Sequence, residues 1–198
     1  MDTFRTIAAP AEAIFTEKRS KFLAFAMPVS SAEQVKAHVA AFTKKYYDAR
    51  HVCYAYMLGP ERLTFRANDN GEPSGTAGKP ILGQINSNEL TDILIIVVRY
   101  FGGVKLGTSG LIVAYRQAAA DAIANAQIVE CTVDEAISFT FPYERMNDVM
   151  RIVKEESPAI QAQNFEITCA MTLTIRQSAM PKLRSRLEKI DGLHITNP

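Results

Sequence analysis

Two glycine-rich stretches carry most of the residues whose types and spacing could do chemistry. The first stretch lies within residues 92–110. An apolar, β-branched run leads into it, and an amphipathic run follows at 111–126. A strand, a glycine-rich turn and a helix in this order gather free backbone N–H groups at a helix N-terminus, where an anion can bind. The candidate anion-binding residues of this stretch are Arg99, Gly102, Gly103, Lys105, Gly107, Thr108 and Ser109.

The side chains of this first stretch suit a phosphorylated ligand. Arg99 can hold a phosphate through two parallel hydrogen bonds, and Lys105 adds a second cation. Thr108 or Ser109 is expected to cap the following helix. Of the aromatic residues at 100 and 101, one is expected to stack on a base and the other to join the core, because strand neighbours face opposite ways.

The second stretch, residues 69–80, alternates polar side chains with three glycines. It is either a turn-rich connector or a binding loop whose glycines let the backbone approach a ligand closely. The density of polar side chains favours binding. The candidates here are Ser74, Thr76 and Lys79 for an anion, with Asp69 and Glu72 as a candidate acidic site.

Neither stretch matches a nucleotide-binding motif. A P-loop needs a glycine five positions before Gly78 and a hydroxyl after Lys79, but Pro73 and Pro80 occupy those positions. The glycines at 102–110 do not have the GxGxxG spacing of dinucleotide-binding folds. No cofactor is therefore predicted.

Histidine and cysteine positions do not indicate catalysis. His51 and Cys53 face the same side of a predicted strand and could form a metal-ligand pair or a Cys–His nucleophile. No third ligand lies near them in sequence, and a thiol inside an apolar strand is usually inert. We interpret both residues, and the isolated His38, as structural. No catalytic residue and no metal site is predicted.

Composition excludes several classes of protein. The 198 residues suffice for one large or two small domains, and the formal net charge of +1 provides no global field for nucleic acid or membrane. The longest apolar run, residues 93–98, is too short to span a bilayer. Residues 1–5 lack the pattern of a signal peptide, and three scattered cysteines predict buried, reduced thiols. A cytoplasmic protein that does not bind a membrane is expected.

Hydrophobic periodicity predicts the elements that position the two stretches. The segment 93–98 should be a strand buried on both faces, and Ser30 or Ser31 should cap a helix that ends near Tyr46. Further strands are predicted at 3–8, 13–16, 21–27, 51–56 and 63–67, and further helices at 80–85 and 111–126. A boundary at 131/132 divides the chain into domains 1–131 and 132–198.

The second domain is predicted to follow the ferredoxin-like βαββαβ plan. The predicted elements are a strand at 136–141, a helix at 143–156, strands at 160–165 and 166–175, a helix at 179–190 and a strand at 193–196. Gly192 is expected to act as the C-cap of the second helix. The fold class expected for the whole chain is α+β.

Several separated motifs resemble the IMPACT/YigZ family, over about residues 15–129. They are the segments 20–22, 48–51, 69–73, 78–82 and 99–107. The resemblance implies a first domain like ribosomal protein S5 domain 2, elongation factor G domain IV and the GHMP kinases, and a second domain like elongation factor G domain V. It also implies a role in translation or its stress regulation, with no agreed catalytic activity.

Two hypotheses follow, with a structural protein–protein adaptor as a third. The first is a non-enzymatic regulatory protein that binds RNA, DNA or a ribosome-associated partner through the residues named above together with Arg50. The second is an enzyme acting on a phosphorylated small molecule or nucleotide, with Asp69 or Glu72 as base or metal ligand. The absence of a recognisable phosphate loop favours the first. The oligomeric state is left open.

Overall fold

The computed structural model describes residues 2–196, so Met1, Asn197 and Pro198 lie outside the described residues, and with them the outer limits, 1 and 198, of the two predicted domains. The chain divides into two compact units. One unit is Phe4–Cys131, and the other combines Met1–Thr3 with Thr132–Pro198. Among the described helices, none is long and apolar enough to cross a membrane.

Helices and strands alternate irregularly along both units, as expected for an α+β protein. The helices are α1 (Ala32–Lys45), α2 (Gly78–Ser87), α3 (Gly107–Ala124), α4 (Met146–Glu156) and α5 (Met180–Leu187). The strands are β1 (Thr3–Ile7), β2 (Ala11–Glu17), β3 (Ser20–Pro28), β4 (His51–Leu58), β5 (Thr64–Asn68), β6 (Ile93–Tyr100), β7 (Ile128–Thr132), β8 (Asp134–Pro142), β9 (Ala159–Asn164), β10 (Thr168–Arg176) and β11 (His194–Ile195).

A five-stranded antiparallel sheet in the order β2-β3-β6-β4-β5 forms the centre of the first unit. Helices α2 and α3 pack on one face of this sheet, and α1 packs on the other. Ile93, Ile95 and Val97 of the central β6 face α2 and α3. Their neighbours Leu94, Ile96 and Val98 face α1, so none of residues 93–98 is exposed. The predicted burial of this strand on both faces is confirmed.

Local signals explain how α1 begins. The Ser31 side chain accepts a hydrogen bond from the Gln34 backbone N–H at 3.3 Å, and Glu33 lies in the first turn. Both features stabilise the exposed N–H groups at a helix N-terminus. The predicted cap is therefore confirmed. Strand β7, which the sequence did not predict, pairs with β1 in a separate two-stranded sheet.

The second unit has the predicted order of elements, and its sheet runs β11-β8-β10-β9. The apolar faces of α4 and α5 pack against this sheet through residues such as Val149 and Leu183. Helix α5 ends at Leu187 with Glu188 as C-cap, so the predicted C-cap role of Gly192 was wrong. Gly192 instead forms a later turn with φ +78°, where a Cβ atom would lie 3.0 Å from the Pro142 ring.

Helix α2 begins at Gly78, two residues before its predicted start, and Gly78 packs directly against β5. A Cβ atom on Gly78 would lie 2.5 Å from the backbone nitrogen of Asn68, which no side chain can accommodate. Gly83, in the same helix, has no atom within 4 Å of the equivalent position. Packing therefore requires a glycine at position 78 but not at position 83.

We expect Gly78→Ala to lower the free energy of unfolding by about 1–3 kcal/mol, because the backbone of β5 must shift. Gly83→Ala is the matched control and should raise it by about 0.5–1 kcal/mol, since alanine restricts the unfolded chain more than glycine does. Urea unfolding followed by circular dichroism measures both. Equal effects of the two substitutions would contradict the packing assigned to Gly78.

Candidate functional site

The two glycine-rich stretches meet at one end of the first unit and enclose a cleft of about 490 Å³, here called the Arg99 cleft. The start of β4, the 69–80 loop, the end of β6, the turn at 101–106 and the first turns of α3 contribute to it. Its lining residues are Arg50, His51, Glu72, Pro73, Arg99, Phe101, Lys105, Leu106, Gly107, Thr108 and Leu111.

A buried ion pair forms the floor of the cleft. Glu72 Oε1 accepts a hydrogen bond from Arg99 Nη1 at 2.5 Å and another from the Tyr115 hydroxyl at 2.8 Å. The side chains of Glu72 and Arg99 are only 3% and 7% exposed. Buried charges persist only when they are paired and hydrogen-bonded, so this contact is first of all structural. Tyr115 was not foreseen, although a buried tyrosine hydroxyl requires a partner.

His51 lies in the wall of the cleft beside this pair. Its Nδ1 is 2.8 Å from the Asn70 carbonyl oxygen, which can only accept, so Nδ1 carries the hydrogen. Its Nε2 then faces Glu72 Oε2 at 3.7 Å. The imidazole is thus held in one orientation within the cleft, a position that its interpretation as a purely structural residue missed.

Cys53 does not form a nucleophile with His51. Its thiol lies 3.0 Å from the Asp69 carbonyl oxygen and 3.3 Å from the Tyr115 hydroxyl. Burial, more than its neighbours, raises the pKa of the Cys53 thiol to about 12, so the reactive thiolate is essentially absent at neutral pH. Cys169 is also buried, whereas Cys131 is half-buried and departs from the prediction.

Asp69 organises the second stretch. Its carboxylate accepts hydrogen bonds from the backbone N–H groups of Gly75 (2.8 Å), Ala77 (3.0 Å) and Gly78 (2.8 Å). Burial by itself would raise the pKa of Asp69, but these N–H donors outweigh it and hold the pKa below its ordinary value of 3.8. The carboxylate therefore takes the place of a side-chain cap for α2, which Ala77 does not provide.

The other candidate residues of the second stretch do not lie together in one site. Thr76 is buried and donates its hydroxyl hydrogen to the Pro73 carbonyl at 2.6 Å, so it does not reach the cleft. Ser74 is exposed outside the cleft lining. Lys79 lies with Arg116 in a second cleft of about 550 Å³. Within the described residues, no three histidine, cysteine or acidic side chains are grouped to hold a metal.

The glycines of the first stretch have identifiable structural roles, and their predicted role in anion binding stays a prediction. A Cβ atom on Gly102 would lie 2.1 Å from the Arg19 carbonyl carbon, and the Gly102 N–H donates to Ser20 Oγ at 3.1 Å. Gly103 and Gly107 have φ of +88° and +74° with open space around them. Gly102 is therefore required for close packing against the β2–β3 turn, and the other two for their backbone conformation.

Helix α3 begins at Gly107, and its N-cap is Leu106, which provides no side-chain hydrogen bond. The prediction that Thr108 or Ser109 caps the helix was wrong, because the helix starts earlier and both residues lie exposed in its first turn. The first N–H groups of this 18-residue helix consequently have no side-chain cap and remain suited to an anion.

The two aromatic residues after Arg99 lie in different surroundings, as expected, whereas stacking of one of them on a base stays a prediction. Tyr100 packs toward α1, and its hydroxyl donates to Asp48 at 2.9 Å. Phe101 is 50% exposed and lines the cleft, with its ring centre 5.8 Å from the Arg99 guanidinium. The sequence offered four cationic side chains as candidates for anion binding. Three of them, Arg50, Arg99 and Lys105, line the cleft, whereas Lys79 does not.

Comparison with known proteins identifies the family to which this chain belongs. The Impact N-terminal domain family matches residues 18–123, which include every residue that lines the Arg99 cleft. The chain belongs to the IMPACT family. It is 30% identical over 181 residues to an IMPACT family member of Haemophilus influenzae, a match that covers 88% of this chain and 86% of the relative. The predicted family is thereby confirmed.

Two further comparisons define how much of the chain is similar to known proteins. The family member YvyE of Bacillus subtilis is 34% identical over 130 residues, or 66% of this chain and 60% of YvyE. The match thus spans less than two thirds of that relative. A crystal structure of a hypothetical protein superposes with a TM-score of 0.77 and 25% identity, covering 100% of this chain and 98% of the other.

Removal of the Glu72 carboxylate should be severely destabilising. We expect Glu72→Ala to lower the free energy of unfolding by about 3–5 kcal/mol, because Arg99 would remain buried and unpaired. The double variant Glu72→Leu with Arg99→Met removes both charges and should recover much of that loss. Chemical denaturation measures both variants. A loss below about 1 kcal/mol in the single variant would contradict the structural role of the pair.

Asp69 should contribute to the acid stability profile. Its pKa is lower in the folded state, so its stabilisation is complete above the ordinary value of 3.8 and is lost as the pH falls through the lower folded value. Asp69→Asn should therefore be less stable than wild type at pH 7, and the difference should shrink below about pH 4. Urea unfolding at several pH values measures it. A constant difference at every pH would refute the assignment.

Proposed function

We propose that this IMPACT-family chain is a non-enzymatic protein that binds single-stranded RNA in the Arg99 cleft. Its role in this proposal is associated with translation. The observation that carries this proposal is the meeting of Arg50, Lys105, the uncapped N-terminus of α3 and the exposed ring of Phe101 in one cleft. Cationic grooves with aromatic platforms are the usual means of binding single-stranded nucleic acid.

Each element of the cleft would have a separate task in binding RNA. Arg50 and Lys105 are exposed and can contact phosphate oxygens. The N–H groups of the first turn of α3 add donors and a favourable dipole. Phe101 provides an apolar face on which a base can stack. The overall charge of +1 means that attraction must come from this local group of charges.

The topology of the second unit supports the fold expected for that domain. The sheet order β11-β8-β10-β9 and the element order of the second unit support the ferredoxin-like, elongation factor G domain V-like assignment. We assign residues 1–131 to a first domain with the fold of ribosomal protein S5 domain 2. Residues 132–198 form the second domain of this proposal. A cytoplasmic location accompanies the proposal, with DNA and ribosome-associated proteins as alternative partners.

The enzymatic alternative receives less support from the geometry. The carboxylate of Asp69 is engaged by three backbone N–H groups, and that of Glu72 by Arg99 and Tyr115. Both carboxylate oxygens of Asp69 and the Oε1 atom of Glu72 thus accept hydrogen bonds from the protein, which argues against their use as the base or metal ligand that phosphoryl transfer would require. The high pKa of Cys53 argues against a thiol nucleophile.

Binding of a fluorescent single-stranded RNA, measured by anisotropy over a range of KCl concentrations, tests the proposal. Arg50→Ala and Lys105→Ala should each weaken binding and reduce the slope of log K against log salt by about 0.7. These exposed side chains are preferable to Arg99, whose substitution would disturb the floor of the cleft.

Lys44→Ala is the matched control, since it removes one exposed cation from α1 on the opposite face of the sheet. It should leave the affinity and the salt slope unchanged. Failure of the wild-type protein to bind RNA would refute the proposal. A loss with Lys44→Ala equal to that of the two cleft variants would refute the assignment of the site.

A further inference from the structure

We infer that the Arg99 cleft binds a terminal phosphomonoester, the phosphorylated end of an RNA strand or a free mononucleotide, in preference to an internal phosphodiester. This inference rests on the proposed function and specifies the ligand of the same site. Its structural basis is the combination of a closed floor, a local excess of positive charge and a buried donor without a partner.

The charge of the cleft matches a phosphomonoester better than a phosphodiester. Its lining contains three permanent cations, Arg50, Arg99 and Lys105, and one carboxylate, Glu72, which leaves two positive charges when His51 is neutral. A phosphomonoester carries about −1.5 to −2 charges at pH 7, whereas each internal phosphate carries about one. A terminal phosphate therefore neutralises the cleft, and an internal phosphate leaves an excess cation.

The floor provides a donor that no protein group satisfies. Arg99 uses Nη1 to bind Glu72, but its Nε is buried and has no hydrogen-bond partner within residues 2–196. The residue is 6% exposed and lines the cleft. A buried N–H without an acceptor is costly, and an anion that reaches the floor would supply one. This observation is independent of the N-terminus of α3.

The shape of the cleft favours the end of a chain over its middle. The floor is closed by Glu72 and Arg99, whose side chains are almost inaccessible. A ligand that reaches this floor must enter from the rim, and a terminal phosphate brings only one attached chain with it, whereas an internal phosphate brings two. Phe101, Leu106 and Pro73 provide an apolar wall for the adjoining sugar and base. The volume of about 490 Å³ is in the usual range of small-ligand sites.

The test compares three single-stranded RNAs of one sequence, with a 5′-phosphate, a 3′-phosphate or hydroxyl groups at both ends. We expect one phosphorylated form to bind at least about tenfold more tightly than the hydroxyl form, because it adds charge-assisted hydrogen bonds. Arg50→Ala and Lys105→Ala should remove most of this preference, and Lys44→Ala should keep it. Competition with a nucleoside monophosphate distinguishes a strand end from a free nucleotide.

Each outcome separates this inference from the proposed function. Equal affinity for the three RNAs, with Lys105-dependent binding retained, would overturn the inference and leave RNA binding intact. Absence of RNA binding together with Lys105-dependent binding of a nucleoside monophosphate would support the inference and refute the proposed function. Absence of binding to every probe would overturn both. Phe101→Ala should weaken the nucleoside monophosphate and leave inorganic phosphate unaffected, since only the nucleotide reaches the apolar wall.

Discussion

The contact between Glu72 and Arg99 is the constraint on which the site depends. Arg99 occupies the end of the central strand β6, and Glu72 comes from the loop before α2. Because both side chains are buried, each is tolerable only with the other in place. The pair fixes the 69–80 loop against the sheet, and the hydroxyl of Tyr115 ties α3 to the same carboxylate. One carboxylate thereby sets the relative positions of the loop, the sheet and the helix.

This constraint divides the charged residues of the site into two groups. Below the surface, both carboxylate oxygens of Asp69 and the Oε1 atom of Glu72 accept hydrogen bonds from backbone or side-chain donors of the protein itself. At the surface, Arg50 and Lys105 remain exposed beside the start of α3. The acidic side chains thus hold the architecture, while the exposed cations face the opening of the cleft. This division suits the binding role proposed above, since the exposed cations need no rearrangement of the buried framework to reach a ligand.

Sequence reasoning foresaw the elements better than the contacts. The unbroken apolar run of β6 and the serine before α1 predicted their structures because both signals are local. The Glu72–Arg99 pair joins residues 27 apart, and the Tyr115 contact joins residues 43 apart, so both depend on the fold. Composition also cannot separate a glycine required for packing, such as Gly102, from one required for a positive φ, such as Gly103. For the same reason, composition did not show which glycine of residues 102–110 begins α3.

The separation of floor and rim has a consequence for how such a site can change. Exposed side chains such as Arg50 and Lys105 can be replaced at a stability cost usually within about 0.5 kcal/mol. A change at the buried pair costs several times more, since it leaves a charge without a partner. The charge and contacts presented to a ligand can therefore vary while the framework under them stays fixed. In the function proposed above, the exposed residues at the rim and wall adjust affinity and specificity, and their substitution tests binding without unfolding the protein.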